Sequence, residues 1–122
     1  MNQVEFNIGG KDRGFKFGLG ALGDIIQHYN TNLLGLGRIM VNNPFTITPV
    51  ILFYGHKHHC LRNTKKIDFT VESFQDWMDD MENPMHNKGV EQVIKIFADS
   101  IQKHLPKTEE VSTDSKTTEK KS

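Results

Sequence analysis

Cysteine and long apolar runs are the scarcest features of this chain. Only one of its 122 residues is a cysteine, which excludes an internal disulfide and any dependence on an oxidising compartment. The longest apolar run, PVILFY at residues 49–54, is far shorter than the roughly 20 residues that span a bilayer. No signal-peptide pattern begins the chain. We therefore expect a soluble, cytoplasmic protein with no membrane partner.

Net charge is also lacking. Fifteen Lys and Arg residues balance 15 Asp and Glu residues, so bulk charge gives no reason to expect nucleic acid as a partner. Charges of one sign are grouped locally, with cations at residues 57–66 and acids at residues 68–82. We expect two solvated faces that attract each other and bring neighbouring helices together.

Motifs of the common enzyme classes are missing as well. The chain has no G-x-S-x-G, no P-loop and no H-E-x-x-H. Gly18, Gly20 and Gly23 match the spacing of G-x-G-x-x-G, but no βαβ unit of the required length surrounds them. Asp79 and Asp80 are adjacent, so on a helix they diverge and make a poor acid–base pair. We expect no enzyme activity and no cofactor.

Alternating apolar and polar residues predict a β-hairpin at the start of the chain. VEFNI at residues 4–8 and FKF at residues 15–17 alternate, and GGKDRG between them has the glycines of a turn. Two strands with so much aromatic surface need helices to cover them. The predicted apolar face consists of Val4, Phe6, Ile8, Phe15 and Phe17.

Apolar residues at helical spacing predict a first and a second helix after the hairpin. The first begins near Leu19 and ends at NTN, residues 30–32. The second follows at about residues 33–40. Because Gly35 and Gly37 lower its helix propensity by about 1 kcal/mol each, we expect it to be short or loosely held.

Three more helices follow, of which the third and fourth are predicted from capping residues. Thr48 followed by Pro49 predicts the start of the third helix after a break at NNPFTITP, residues 42–49. This helix is expected to end near Arg62. Thr70 caps the fourth helix, which Asn83 and Pro84 stop. The fifth is the clearest, with apolar residues on one face from 90 to 105.

Residues 106–122 contain almost no aliphatic side chains and are rich in Lys, Glu, Ser and Thr, which predicts disorder. The sequence thus predicts an α+β fold, mainly α, with an N-terminal β-hairpin packed on about four to five short helices. We expect a single domain at residues 3–105 and a disordered tail at residues 106–122.

The segment GHKHHC, residues 55–60, concentrates metal-ligating side chains. His56, His59 and Cys60, at i, i+3 and i+4, share one side of a helix and are candidate ligands for one metal. No second half-site supplies the fourth ligand that structural zinc needs. We therefore favour histidines that interact with the negative end of the helix and a Cys60 that is a small buried hydrophobe, with no bound metal.

Methionines are concentrated beside the only tryptophan. Met78, Met81 and Met85 lie within eight residues, next to Trp77. These four are the candidate partner-binding residues, because unbranched, polarizable side chains adapt to varied surfaces. The alternative is that they fill the core under the hairpin, which we favour for Trp77 and Met78. Met81 and Met85 fit a partner groove better.

Four segments in this order resemble a known family. FNIGGKDRGFKFGLGALGDI at residues 6–25, FYGHKHH at 53–59, FTVESFQDWMDDM at 69–81 and VEQVIKIFADSIQKHL at 90–105 look like the tail assembly chaperones of long-tailed (siphovirus-type) phages and prophages of Gram-positive bacteria. The similarity is one of order and pattern. The three histidines depart from the small and apolar residues that the family usually has at that helix end.

The resemblance implies a non-enzymatic role in virion assembly. Such a chaperone coats the long helical tape measure protein in the host cytoplasm, keeps it soluble until tail tube subunits polymerise, and is not expected in the mature virion. It implies contact with the tail tube protein through a longer product of translational frameshifting, and self-association is a further expectation.

Two other functions remain open on sequence alone. The first is a phage-encoded adaptor that uses the same methionine-rich surface on a host protein. The second is a metal-tied nucleic-acid-binding module built on HKHHCLRNTKK, residues 56–66, whose binding would weaken steeply with salt. The neutral net charge disfavours the second, and we expect no nucleic acid partner.

Overall fold

The computed structural model describes residues 3–105, and it has the predicted α+β, mainly α fold. A two-stranded antiparallel hairpin is followed by five α-helices and one short 3₁₀ helix. The predicted disordered tail, residues 106–122, lies outside the described residues. The elements are β1 (Gln3–Ile8), β2 (Lys11–Lys16), α1 (Leu19–Tyr29), α2 (Leu33–Asn42), α3 (Pro44–Arg62), α4 (Val71–Asp79), the 3₁₀ helix (Pro84–His86) and α5 (Lys88–His104).

The hairpin has a shorter turn than the sequence predicted. Gly9 and Gly10 alone connect the strands, with φ angles of 66° and 85°, which is the conformation that favours glycine in two-residue hairpin turns. The remaining residues of GGKDRG therefore belong to β2. The predicted apolar face is confirmed, because Ile8, Phe15 and Phe17 are buried and Val4 and Phe6 pack against the core.

The predicted start of α3 is wrong. This helix begins at Pro44, five residues before Pro49, which lies inside it. The hydroxyl of Thr48 donates a hydrogen bond of 2.6 Å to the carbonyl of Pro44 one turn earlier, so it does not cap the N-terminus. Pro49 has no backbone N–H, so the helix lacks one hydrogen bond in its second turn. The predicted end at Arg62 is confirmed.

The predicted cap of α4 is confirmed, and the structure adds a cap at the start of α5. Thr70 and Ser73 form a reciprocal capping box at the start of α4, which satisfies two backbone N–H groups. The side chain of Asn87 accepts a hydrogen bond of 3.1 Å from the backbone N–H of Val90 at the start of α5. α4 ends at Asp79, and Pro84 opens the 3₁₀ helix.

α3 is the central element of the fold. It packs against β2, α1, α2, α4 and α5, and it buries residues along most of its length. α5 closes the other side of the hairpin, where the hydroxyl of Ser100 donates a hydrogen bond of 2.7 Å to the carbonyl of Phe17. No helix within residues 3–105 combines the length and apolarity that crossing a membrane requires.

Candidate functional site

α3 carries a candidate site towards each end. The first, here called the polar pocket, has a volume of about 320 Å³ and lies where β2 meets the C-terminal half of α3. Its lining includes Lys11, Arg13, His56, Cys60, Lys65 and Lys66. The second, here called the apolar groove, has a volume of about 370 Å³ and lies beside the N-terminal half of α3. Its lining includes Phe45, Pro49, Gln75, Met78, Asp79 and Met85.

His56 links α3 to the hairpin through both nitrogens of its ring. Its Nδ1 lies 2.8 Å from the carbonyl oxygen of Gly14, and because a carbonyl only accepts, Nδ1 donates. The neutral ring then accepts at Nε2 from the guanidinium of Arg13, 3.2 Å away. Burial, which disfavours the charged ring, lowers the pKa of His56 from 6.5 to about 4. The imidazole is therefore neutral near pH 7.

This neutrality corrects one sequence-based expectation about the histidine cluster. We expected the histidines to interact with the negative end of α3, but the buried His56 is uncharged and bonded to β2. His58 also points away from the helix end, and its Nε2 donates to a carboxylate oxygen of Asp24, 2.7 Å away. The expected burial of Cys60 is confirmed, and burial raises the pKa of its thiol.

Arg13 is a buried cation on the apolar face of the hairpin. Only 6% of its surface is exposed, and in the strand register it lies opposite Phe6. Its Nε donates to the carbonyl of Ile8 at 2.8 Å, and its guanidinium lies 4.3 Å from the centre of the Trp77 ring. Among residues 3–105, no carboxylate lies within ion-pair distance of it. Burial lowers its pKa.

The three candidate metal ligands do come together in the structure. One donor atom from each of His56, His59 and Cys60 lies within 4.8 Å of the others, and all three residues are buried. Nδ1 of His59 is buried without a hydrogen-bond partner among the described residues. The set has only three donors, and the guanidinium of Arg13 occupies Nε2 of His56. A positive charge at that place opposes a divalent cation.

The grouped charges of residues 3–105 lie on neighbouring elements without forming close ion pairs with each other. Within the part of the chain that the structure describes, no ion pair joins the cations of residues 57–66 to the acids of residues 68–82. Lys65 and Lys66 are instead exposed at the mouth of the polar pocket. The charges of these lysines remain solvated, because an exposed ion pair adds little to the free energy of unfolding.

The apolar groove combines exposed and buried apolar side chains. Phe45, in the first turn of α3, is 76% exposed, whereas Met78 of α4 is buried beneath the groove surface. Met85, in the 3₁₀ helix, is half-buried. Gln75 and Asp79 add polar groups to the same lining. An apolar surface with a polar margin is the composition of a protein-binding site.

The four predicted partner-binding residues divide between two locations. Met78 and Met85 line the apolar groove. Trp77 instead covers Gly9 of the hairpin turn and packs edge-on against Phe74. Met81 is half-buried against the core. The structure thus brings two of the four to the groove and places Trp77 beside Arg13.

Two prominent residues of these sites were missed by sequence reasoning. Arg13 was assigned to the turn, although counting back in twos from Phe17 and Phe15 places it on the buried face. Phe45 was assigned to a break between helices, although Pro44 before it is typical of a first helical position. The alternation that places Arg13 and the proline before Phe45 are both present in the sequence. Each can be interpreted only when the first residue of the strand or helix is known.

Comparisons of the chain with known protein families, with curated proteins and with solved structures find no match. The function must therefore be argued from the residues and from the geometry of the two sites.

Proposed function

We propose that this chain is a phage tail assembly chaperone that binds the tape measure protein through the apolar groove. The observation that carries the proposal is the exposure of Phe45 beside a methionine-lined depression. A large aromatic side chain in water gains free energy when a partner covers it. Contiguous exposed apolar surface of this kind marks interaction sites in soluble proteins.

The groove chemistry fits an amphipathic helix as the occupant. The apolar stripe of such a helix contacts a groove through residues at i, i+3, i+4 and i+7. Met78 and Met85 adapt to different side chains along the stripe because methionine is unbranched and flexible.

The small size of the groove favours weak binding by many copies. Each copy covers a short part of a long helix, so tail tube subunits can displace the copies one after another during polymerisation. The proposed role is not enzymatic and takes place in the host cytoplasm, with the chaperone absent from the mature virion. Contact with the tail tube protein through a frameshifted extension, and self-association, belong to the same proposal.

Co-expression with the tape measure protein tests the proposal. A pull-down should recover soluble tape measure protein with the wild-type chain and much less of it with Phe45→Asp combined with Met85→Asp. Adding Met81→Asp tests whether the half-buried methionine takes part. A tape measure protein whose solubility does not change when the wild-type chain is present would contradict the proposal.

Leu19 offers a matched control for these variants. It is 70% exposed at the start of α1 and lies outside the groove lining. Leu19→Asp is compared with Phe45→Asp alone, because each adds one negative charge at a largely exposed apolar position, and it should leave recovery of the complex unchanged. Circular dichroism of each variant establishes that loss of binding does not reflect unfolding. An equal loss with Leu19→Asp would remove the groove from the proposal.

A further inference from the structure

The polar pocket contains a buried positive charge that forms no close ion pair within residues 3–105, and burial lowers its pKa more than the more distant Asp68 of the same lining raises it. Arg13 is more than nine-tenths buried, and none of the acids in residues 3–105 lies within ion-pair distance of it. Burying an unpaired positive charge is costly unless an anion compensates it. A guanidinium held at the wall of an open pocket can therefore bind an anion directly.

The hydrogen bonds of Arg13 orient its guanidinium without neutralising it. Nε donates to the carbonyl of Ile8, one terminal nitrogen to that of Gly9 at 3.4 Å, and the other to Nε2 of His56. These acceptors are all neutral, and a guanidinium has five N–H groups. Two N–H groups thus remain for a ligand, on a side chain that is already held in one orientation.

The charge of the lining favours a doubly negative ligand. Lys11, Arg13, Lys65 and Lys66 face two acids in the lining, Asp12 and Asp68. One of these acids is engaged, because the side-chain amide of Asn7 donates to Asp12 at 3.2 Å. Since His56 is neutral, the lining has an excess of two positive charges. A phosphate group carries about 1.5 to 2 negative charges at pH 7, which matches that excess better than a single carboxylate does.

We propose that the polar pocket is a phosphate-binding site in which Arg13 holds the phosphate oxygens and Lys11, Lys65 and Lys66 supply the surrounding charge. An arginine fork matches phosphate oxygens geometrically, and lysines act as point charges around them. The pocket volume of about 320 Å³ leaves room for a group esterified to the phosphate. This inference does not depend on the chaperone role, because it uses a different site.

Titration of the full-length chain with inorganic phosphate tests the proposal. At matched ionic strength, phosphate at about five times its Kd should raise Tm by roughly 4–8 °C relative to chloride. β-Glycerophosphate shows whether a phosphate monoester binds more tightly than the free ion, and either order supports the site. An acetate response equal to the phosphate response, or no response beyond that of chloride, would overturn it.

Variants separate the pocket from general attraction to a protein surface. Lys65→Ala combined with Lys66→Ala removes two exposed cations and should weaken phosphate binding about tenfold or more, measured by isothermal titration calorimetry. Lys103→Ala, an exposed lysine of α5 outside the lining, should leave the affinity unchanged. Equal affinities in the double variant and the wild type would contradict the assignment.

Arg13→Met tests the central group. It should abolish the phosphate response, and the double lysine variant still decides the matter if Arg13→Met fails to fold. Zinc is the last ligand to be titrated, because His56, His59 and Cys60 lie beside the same pocket. Stabilisation by one equivalent of zinc without any response to phosphate would replace the phosphate site with a metal site.

Discussion

The two ends of α3 depart from the usual division between an apolar interior and a polar surface in opposite ways. Near the N-terminus, the aromatic ring of Phe45 is largely exposed. In the C-terminal half, His56 and His59 are buried, and the buried guanidinium of Arg13 from β2 joins them. Exposing an apolar ring costs the folded state little, because the ring is exposed in the unfolded chain as well. Burying polar groups is costly unless each finds a partner.

The comparison indicates how substitutions at each end should behave. Changes in the polar pocket remove hydrogen bonds that hold the hairpin to α3, so they should lower the free energy of unfolding. Changes at the exposed edge of the apolar groove remove surface that the fold does not use, so they should change binding alone. The following substitutions and conditions test this difference, in decreasing order of expected effect.

Replacing the buried imidazole should have the largest effect. His56→Ala leaves a cavity, and it also leaves the carbonyl of Gly14 and a guanidinium N–H of Arg13 without their partner. We expect a loss of about 3 kcal/mol in the free energy of unfolding, measured by urea denaturation. His58→Ala on the same helix is the control, because its partly exposed pair with Asp24 should contribute at most about 1 kcal/mol. Equal losses would contradict the structural role of His56.

Acidification should destabilise the protein by a similar amount. In the unfolded chain His56 binds a proton near its ordinary pKa of 6.5, whereas burial lowers the folded-state pKa to about 4. The unfolded state therefore binds more protons between these values, and stability falls as the pH falls from 6.5 to 4. The full difference corresponds to about 3 kcal/mol. Burial also lowers the pKa of His59, which adds to the same loss.

The variant His56→Gln isolates this contribution to the pH dependence. Its amide retains a donor for the carbonyl of Gly14, but it does not titrate. Urea denaturation at several pH values should give a flatter dependence of stability on pH than in the wild type. His86→Gln, a change at an exposed position of the 3₁₀ helix, should retain the wild-type slope. A wild-type slope in His56→Gln would show that another group causes the acid sensitivity.

Local signals predicted the parts of the fold that depend on neighbouring residues. The apolar spacing of α5 and the capping box at Thr70 act within a few residues, so both could be found from sequence. The apolar face of the hairpin follows from alternation alone. The start of α3 was different, since Pro44 after Asn43 and Pro49 after Thr48 are both plausible starts. Only the packing of Ile47, which is buried in the core, distinguishes between them.

The candidate sites depended on contacts that no local pattern contains. Arg13 and His56 are 43 residues apart, and their contact exists only because β2 packs on α3. The hydrogen-bond partners of a histidine cannot be read from its own helix when the acceptor belongs to a strand. By contrast, the convergence of His56, His59 and Cys60 could be predicted, because all three lie on one side of α3.

Loss of the cap on α4 should lower the free energy of unfolding by an intermediate amount and should disturb both sites. α4 supplies Trp77 beside Arg13 and Met78 beneath the apolar groove. Thr70→Ala removes a hydroxyl that accepts from the N–H of Ser73 at 3.3 Å. We expect a loss of about 1 kcal/mol in the free energy of unfolding, measured by urea denaturation. Thr70→Ser retains the hydroxyl and should recover most of the loss, whereas an unchanged stability in Thr70→Ala would contradict the role of the cap.

Substitution at the exposed edge of the apolar groove should have the smallest effect on stability. Phe45 is 76% exposed, so Phe45→Ser removes little buried surface and should change the free energy of unfolding by no more than about 0.5 kcal/mol. Urea denaturation beside wild type checks this value. A loss above about 2 kcal/mol would mean that Phe45 supports the start of α3, and the contrast between the two ends of the helix would then fail. A small loss combined with weaker binding of the tape measure protein would assign the ring to recognition, because stability alone gives no reason to keep it.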